Sequence, residues 1–185
     1  MFILMIKLNN NKIHCLFMPI ELCTVPPQIF ISHDKPIKNN MNNIITRKNK
    51  DKKPFGGLWT SKKIIKDNVI TSPWLKWAKK HKFYDNNNIL KWELRTNSPC
   101  KILKIESKKD IEKYSIHYNH DIDGDSYKFD WDYIFTQKEC DAMWLTETGM
   151  KNLTTVFTDK KYSMAGWDVE SILWSNWVFD EIIQH

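Results

Sequence analysis

Two short segments carry polar groups where the surrounding residues call for burial: Gly56-Gly57-Leu58-Trp59-Thr60-Ser61 and Trp167-Asp168-Val169-Glu170-Ser171-Ile172-Leu173-Trp174. Val, Ile and Trp favour a pleated, half-buried surface, so the second segment predicts a strand over 170–175. Glu170 lies inside it, and a carboxylate in such a place needs a partner or a task. In the first segment, Gly56-Gly57 permits a tight turn into a brief strand over 58–61.

The same patterning predicts strands over 2–8, 13–22, Gln28–Ser32, 89–96, 100–106 and 142–146. The rigid Val25-Pro26-Pro27 stretch separates two of them, and an Asn/Lys-rich polar connection covers 38–53. Thr71-Ser72-Pro73 is a helix start, with Ser72 as N-cap and Pro73 in the first turn. The helix it opens, 74–80, puts Trp74, Trp77 and Ala78 on one face and Lys76, Lys79 and Lys80 on the other. A short helix is expected at Lys108–Tyr114, and a short helix or turn over 129–135. Residues 121–126 resemble a calcium loop superficially, but their glycine comes one place too early, so a solvated acidic turn is expected. No internal repeat is visible. These elements amount to a single α+β domain over 1–185, with a curved or split β-sheet core and a few short helices.

Composition narrows the reading. The chain of 185 residues is long enough for a core without disulfides, and its nine Trp, nine Phe and six Tyr predict an aromatic core or an aromatic-lined site. Cys15, Cys23, Cys100 and Cys140 have neither CxxC spacing nor an accompanying secretory segment, so no metal site and no disulfide framework are expected, and a cytoplasmic or other reducing compartment fits. The apolar run at 2–8 is too short to span a bilayer, so no membrane association is expected.

Charge is uneven. Residues 35–82 hold fourteen Lys/Arg against two Asp, net +12, whereas 83–185 hold twelve against eighteen acids, net −6. A solvated basic loop accounts for the first half; so does a surface that attracts the phosphates of a nucleotide or nucleic acid.

The order of motifs resembles the ADP-ribosyltransferases, in the branch whose signature is a His, a Tyr and a Glu on three strands. Ile29-Phe30-Ile31-Ser32-His33 is similar to the strand that ends in the His, and Gly57-Leu58-Trp59-Thr60-Ser61 to the Gly-Ile-Tyr-Phe strand, with Trp59 in the Tyr position. A Ser-started helix follows, and Glu170-Ser171-Ile172-Leu173-Trp174 is similar to the strand that opens on the catalytic Glu. The resemblance implies a transferase of the glycosyltransferase class that uses NAD as substrate and passes ADP-ribose to a protein or nucleic-acid acceptor.

Breaking the nicotinamide–ribose bond builds oxocarbenium character on the sugar, which a carboxylate beside it stabilises. The resemblance gives that role to Glu170 and gives ribose or carboxamide contacts to His33. Trp59, Trp74 and Trp77 offer flat faces for a base, and Thr60 and Ser61 offer hydroxyls. Asp168 stands two residues before Glu170; on a strand that begins by 168, both acids would share a side, and the pair resembles the acid-x-Glu arrangement in which the first acid handles the acceptor. The rival reading is a non-enzymatic module in which the basic stretch and its tryptophans track single-stranded nucleic acid.

Overall fold

The computed structural model describes residues 21–38, 41–44, 54, 56–83, 89–114, 116–118, 126–128, 131, 134–135, 140–154 and 167–185. The expected strand at 2–8, most of the one at 13–22, the connection over 45–53, Cys15 and residues 121–125 lie outside them.

The described elements run β1 (Glu21–Cys23), β2 (Gln28–Ser32), β3 (Leu58–Lys62), β4 (Ile64–Lys66), β5 (Val69–Thr71), α1 (Pro73–Lys80), β6 (Leu90–Arg95), β7 (Cys100–Ile105), α2 (Lys108–Tyr114), β8 (Ile116–Tyr118), β9 (Ser126–Lys128), β10 (Ala142–Leu145), α3 (Glu147–Thr154), β11 (Ser171–Trp174) and β12 (Glu181–Gln184). Eight strands form one curled sheet in the order β1-β7-β10-β11-β3-β2-β6-β12. Among the described strands only β7 and β10 pair in parallel. The protein is thus mixed α+β, with a curled sheet and a few short helices.

Side-chain alternation gives the sheet two dry faces. Leu58, Ile102, Ala142, Ile172, Trp174, Trp92 and Leu94 pack on one, with Phe179 folded over them. Leu103, Ile105, Met143, Leu145 and Leu173 pack on the other, beneath Ile111 of α2 and Leu153 of α3. Both faces being covered explains why β7 and β11 read as nearly continuous apolar runs.

Helix α1 forms as its start signal predicts. Ser72 has extended backbone, its hydroxyl accepts from the Leu75 N–H at 3.2 Å, and Pro73 occupies the first turn. Ala78, fully buried, faces inward.

Several features depart from the sequence reading, which indicates no strand at β8, β9 or β12. The β4–β5 hairpin turns through Asp67 and Asn68, both left-handed at φ 51° and 60°, on strands too short to show a period. Helix α3 is masked in sequence by Gly149, yet a Cβ there would lie 2.1 Å from the Ile105 carbonyl oxygen, so only glycine allows α3 to approach β7 so closely. Finally, β11 begins at Ser171, and Glu170 stands in the bend before it.

Candidate functional site

The site is organised by β3, which divides its hydrogen bonds between two halves of the sheet. Leu58, Trp59 and Thr60 pair with β11, whereas Ser61 and Lys62 pair with β2. On its other edge β2 pairs with β6 along its whole length, Gln28–Ser32, but towards β3 the pairing stops at Ile29. The sheet is therefore split between the second half of β2 and the first half of β3, as the expected curved or split core requires. Gly57 closes the β3 end of the split. Its φ is +66°, its N–H donates to the Asn42 carbonyl oxygen at 2.9 Å, and a Cβ there would lie 2.5 Å from the Leu173 side chain and 2.7 Å from the Trp174 carbonyl oxygen.

At the other end of β3 stands Glu170. The β3–β11 register, extended two residues past Ile172↔Thr60, sets it level with Lys62. Glu170 is 6% exposed. Trp144 Nε1 donates to its Oε1 at 3.3 Å. Burial pushes the carboxyl above its ordinary range; Lys62 and the Trp144 N–H draw it back in part, and the negative charge of Glu147 adds to the rise. Among the described residues no cation reaches Glu170 at ion-pair distance.

A second buried carboxylate makes the contrast. Glu93, on β6, is 0% exposed and is met by three basic groups: Lys63 Nζ at 2.5 Å, Arg95 Nε at 2.6 Å and His185 Nε2 at 2.7 Å. Burial alone would raise its carboxyl, but the hydrogen bonds from Lys63, Arg95 and His185 outweigh that and hold it at about 2. Glu93 is a satisfied structural carboxylate. Among the described residues Glu170 is buried with a single indole for a hydrogen-bond partner, the condition under which a perturbed carboxyl marks a candidate functional site.

The other residues singled out from the sequence fall in several places. His33 follows the end of β2 and is exposed, at the end of the split opposite Glu170. Trp59 pairs with Leu173 and lies on the opposite face of the sheet from Trp144 and Glu170, edge-on to Trp167 at 5.2 Å and 88°. His33, Trp59 and Glu170 thus surround β3 without sharing one face.

Thr60 is 2% exposed and its hydroxyl is spent inside the protein, accepting from Trp174 Nε1 at 2.8 Å and donating to Gln28 Oε1 at 3.0 Å. Ser61, fully buried, accepts from the Trp74 N–H at 3.2 Å and so helps to hold the start of α1. Asp168 is exposed where Glu170 is buried, because both precede the strand whose alternation was expected to align them. Trp74 and Trp77 stack on each other at 5.0 Å and 14°, away from the core clusters.

Trp144 and Lys62 are the functional neighbours that sequence reasoning missed. Trp144 looks like any strand tryptophan, and only the β10–β11 register, Trp144↔Ile172, puts it beside Glu170. Among the described residues no group of three or more His, Cys, Asp or Glu is placed to hold a metal ion, and no helix is long and apolar enough to cross a membrane. Cys23, Cys100 and Cys140 are buried free thiols.

Comparison with known proteins finds no match to any family model, to any curated protein or to any solved structure.

Proposed function

We propose that this protein is an NAD-dependent ADP-ribosyltransferase in which Glu170 is the catalytic carboxylate and the acceptor is a macromolecule. The observation that carries the reading is the contrast between the two buried carboxylates. Glu93 has three basic partners, while Glu170 has one indole N–H and no ion-pair partner among the described residues. Keeping a carboxylate buried in that condition costs stability, and a developing positive charge on a bound substrate would repay it.

In this reading the dinucleotide lies along β3, with the nicotinamide ribose at Glu170 and His33 at the far end of the split. The glycosidic C–N bond breaks, its electron pair leaves with neutral nicotinamide, and positive charge develops on the ribose. Glu170 stabilises that charge, and Trp144 holds the carboxylate in place through Oε1. An acceptor nucleophile attacks the same carbon and loses a proton, for which the exposed Asp168 is the nearby base. The split geometry of β2 and β3 and the resemblance of the three motifs support this assignment, and an extended ligand suits the separation of His33 from Glu170.

The test is incubation of the protein with NAD labelled on the adenylate and with a mixed acceptor extract, following nicotinamide release and label transfer together. Transfer lost in Glu170→Gln with the fold intact supports the reading. Neither release nor transfer by the wild-type protein, or equal activity in the variant, overturns it.

A further inference from the structure

Cys23 and Cys100 stand directly opposite each other across β1 and β7, as the last pair of that register. Residues opposite on antiparallel strands project to the same side, and both thiols lie in the core cluster that holds Ile102 and Trp174. The Lys101 N–H donates to Asp141 Oδ2 at 2.8 Å and its carbonyl oxygen accepts from the Asp141 N–H at 2.8 Å, so the main-chain groups of Lys101 turn toward β10. Those of Cys100 therefore turn toward β1, which makes Cys23 and Cys100 a hydrogen-bonded pair with Cα atoms about 5.5 Å apart. That separation is within the span of a disulfide. Cys140 belongs to the core cluster on the opposite face of the sheet, where its thiol donates to the Ile134 carbonyl oxygen at 3.5 Å.

We infer that Cys23 and Cys100 are a redox modification site, closing to a reversible disulfide when a peroxide is present. Cys23 is the attacking sulfur. Its thiol donates to Glu21 Oε2 at 3.9 Å, and Lys104 Nζ meets the same carboxylate oxygen at 3.3 Å, so the proton has an acceptor and the thiolate has a cation beside it. Burial alone would lower the Lys104 ammonium, but the charge of Cys23, with hydrogen bonds to Glu21 and to the Cys23 sulfur, outweighs that and raises it. Burial pushes the Cys100 thiol up and charge on Cys23 adds to the rise, so Cys100 keeps its proton until its partner has been oxidised. Cys23 is 8% exposed, but β1 is a three-residue edge strand whose other two residues are exposed, and fraying it uncovers the sulfur at small cost.

The Cys23 thiolate attacks one oxygen of hydrogen peroxide, the O–O bond breaks, and the departing hydroxide takes up the proton that the thiol gave up, leaving a sulfenic acid and water. The Cys100 sulfur then attacks the Cys23 sulfur, the S–O bond breaks, and a second water leaves with the Cys100 proton. Both thiols are oxidised and one peroxide is reduced. The Cβ atoms of a hydrogen-bonded pair stand wider than the roughly 3.8 Å of a relaxed disulfide, so closure draws β1 against β7 and leaves a bond that thiols reduce readily. No part of this requires NAD or Glu170, so the inference is independent of the proposed function.

The experiment treats the full chain with a small excess of hydrogen peroxide, without NAD, both unsubstituted and with Cys15→Ser and Cys140→Ser. Peptide mapping under non-reducing conditions should join the Cys23 peptide to the Cys100 peptide within one monomer, lighter by two hydrogens, and reduced glutathione should restore both thiols. Adding Cys100→Ser should abolish the crosslink and leave a sulfenic acid at Cys23 that dimedone traps, whereas adding Cys23→Ser should leave Cys100 largely unreacted. Mapping of the unsubstituted chain keeps the result independent of whether the serine variants fold. The inference is overturned by no crosslink between the two, by crosslinks between chains or to Cys15 in their place, by oxidation beyond the sulfenic acid without a crosslink, or by a bond that glutathione leaves intact. NAD-dependent transfer without the crosslink would sink this inference alone, and the crosslink without transfer would sink the Glu170 reading alone.

Discussion

Trp144 of β10 and Glu170, just before β11, are joined by the indole N–H, which donates to the carboxylate at 3.3 Å, and this is the only hydrogen bond to the Glu170 side chain among the described residues. It is one neutral donor set against the burial of a charge. Burial therefore wins, and the Glu170 carboxyl binds its proton more tightly in the folded protein than in the unfolded chain. The sign of the linkage follows: the folded state holds more protons between the ordinary glutamate value and the raised one, so stability falls as pH rises through that window and stays lower above it.

Glu170→Gln should consequently stabilise the protein at neutral pH, by on the order of 1 kcal/mol, and on the proposed reading abolish transfer. Glutamine keeps an oxygen for the Trp144 N–H and removes the buried charge. Melting curves of both proteins at neutral pH and below the ordinary glutamate range check this, since the difference should vanish in acid. A variant less stable than wild type at neutral pH would show that Glu170 is satisfied by a partner.

Trp144→Phe separates positioning from packing. Loss of the N–H removes one of the two influences that draw the Glu170 carboxyl down, and Lys62 alone then opposes burial and the charge of Glu147. On the proposed reading the acid limb of the transfer pH profile moves to higher pH, and transfer at neutral pH falls roughly 10-fold or more. A purely structural tryptophan would change the melting temperature without moving that limb.

Thr60 distinguishes an internal hydroxyl from a ligand-binding one. Its oxygen links Trp174 Nε1 to Gln28 Oε1, and Gln28 Nε2 in turn donates to the Pro26 carbonyl oxygen at 2.8 Å. Thr60→Val leaves a buried donor and a buried acceptor without their partner and should cost about 2–6 kcal/mol in urea denaturation, on a scale of 1–3 kcal/mol per stranded group. Thr60→Ser should recover most of that loss. If Thr60→Val instead left stability unchanged and raised only the KM for NAD, the hydroxyl would belong to the ligand.

Much of the fold was legible where a local rule decides it. Ser72-Pro73 announced α1, and Gln28–Ser32 and Lys108–Tyr114 form over the residues their patterning indicated. The site was legible only in part, because its logic is one of register. Whether Trp59 and Glu170 share a face depends on the β3–β11 register, and the pairing Leu173↔Trp59, which sets Glu170 level with Lys62, separates them. Trp144 carries no signal of its own. Glu93 illustrates the limit most sharply: Lys91-Trp92-Glu93-Leu94-Arg95 buries a carboxylate in an apolar strand just as the Glu170 segment does. Arg95, two residues on along the same strand, is the one local partner; Lys63 and His185 come from distant positions, so the local pattern shows only part of what separates the paired acid from the under-paired one.

Glu93 gives the last prediction, with a linkage of opposite sign to that of Glu170. Its folded carboxyl sits at about 2, below the ordinary glutamate value, so its contribution is fully present at neutral pH and is lost as pH falls from the ordinary value toward about 2. A depression of that size corresponds to about 3 kcal/mol across the window, and unfolding monitored by urea between pH 7 and pH 2 should show a loss of that order. Glu93→Gln should remove the acid dependence. It should also destabilise the protein at neutral pH by about 3 kcal/mol, near the lower end for breaking a buried ion pair. The lower end applies because Arg95 is 41% exposed and can rehydrate, whereas Lys63, at 14%, is left facing an uncharged amide. Replacing both members, Glu93→Gln with Lys63→Met, should recover part of that loss, because the stranded ammonium goes with its partner. A double variant no more stable than Glu93→Gln would place the energy in Arg95 and His185 instead.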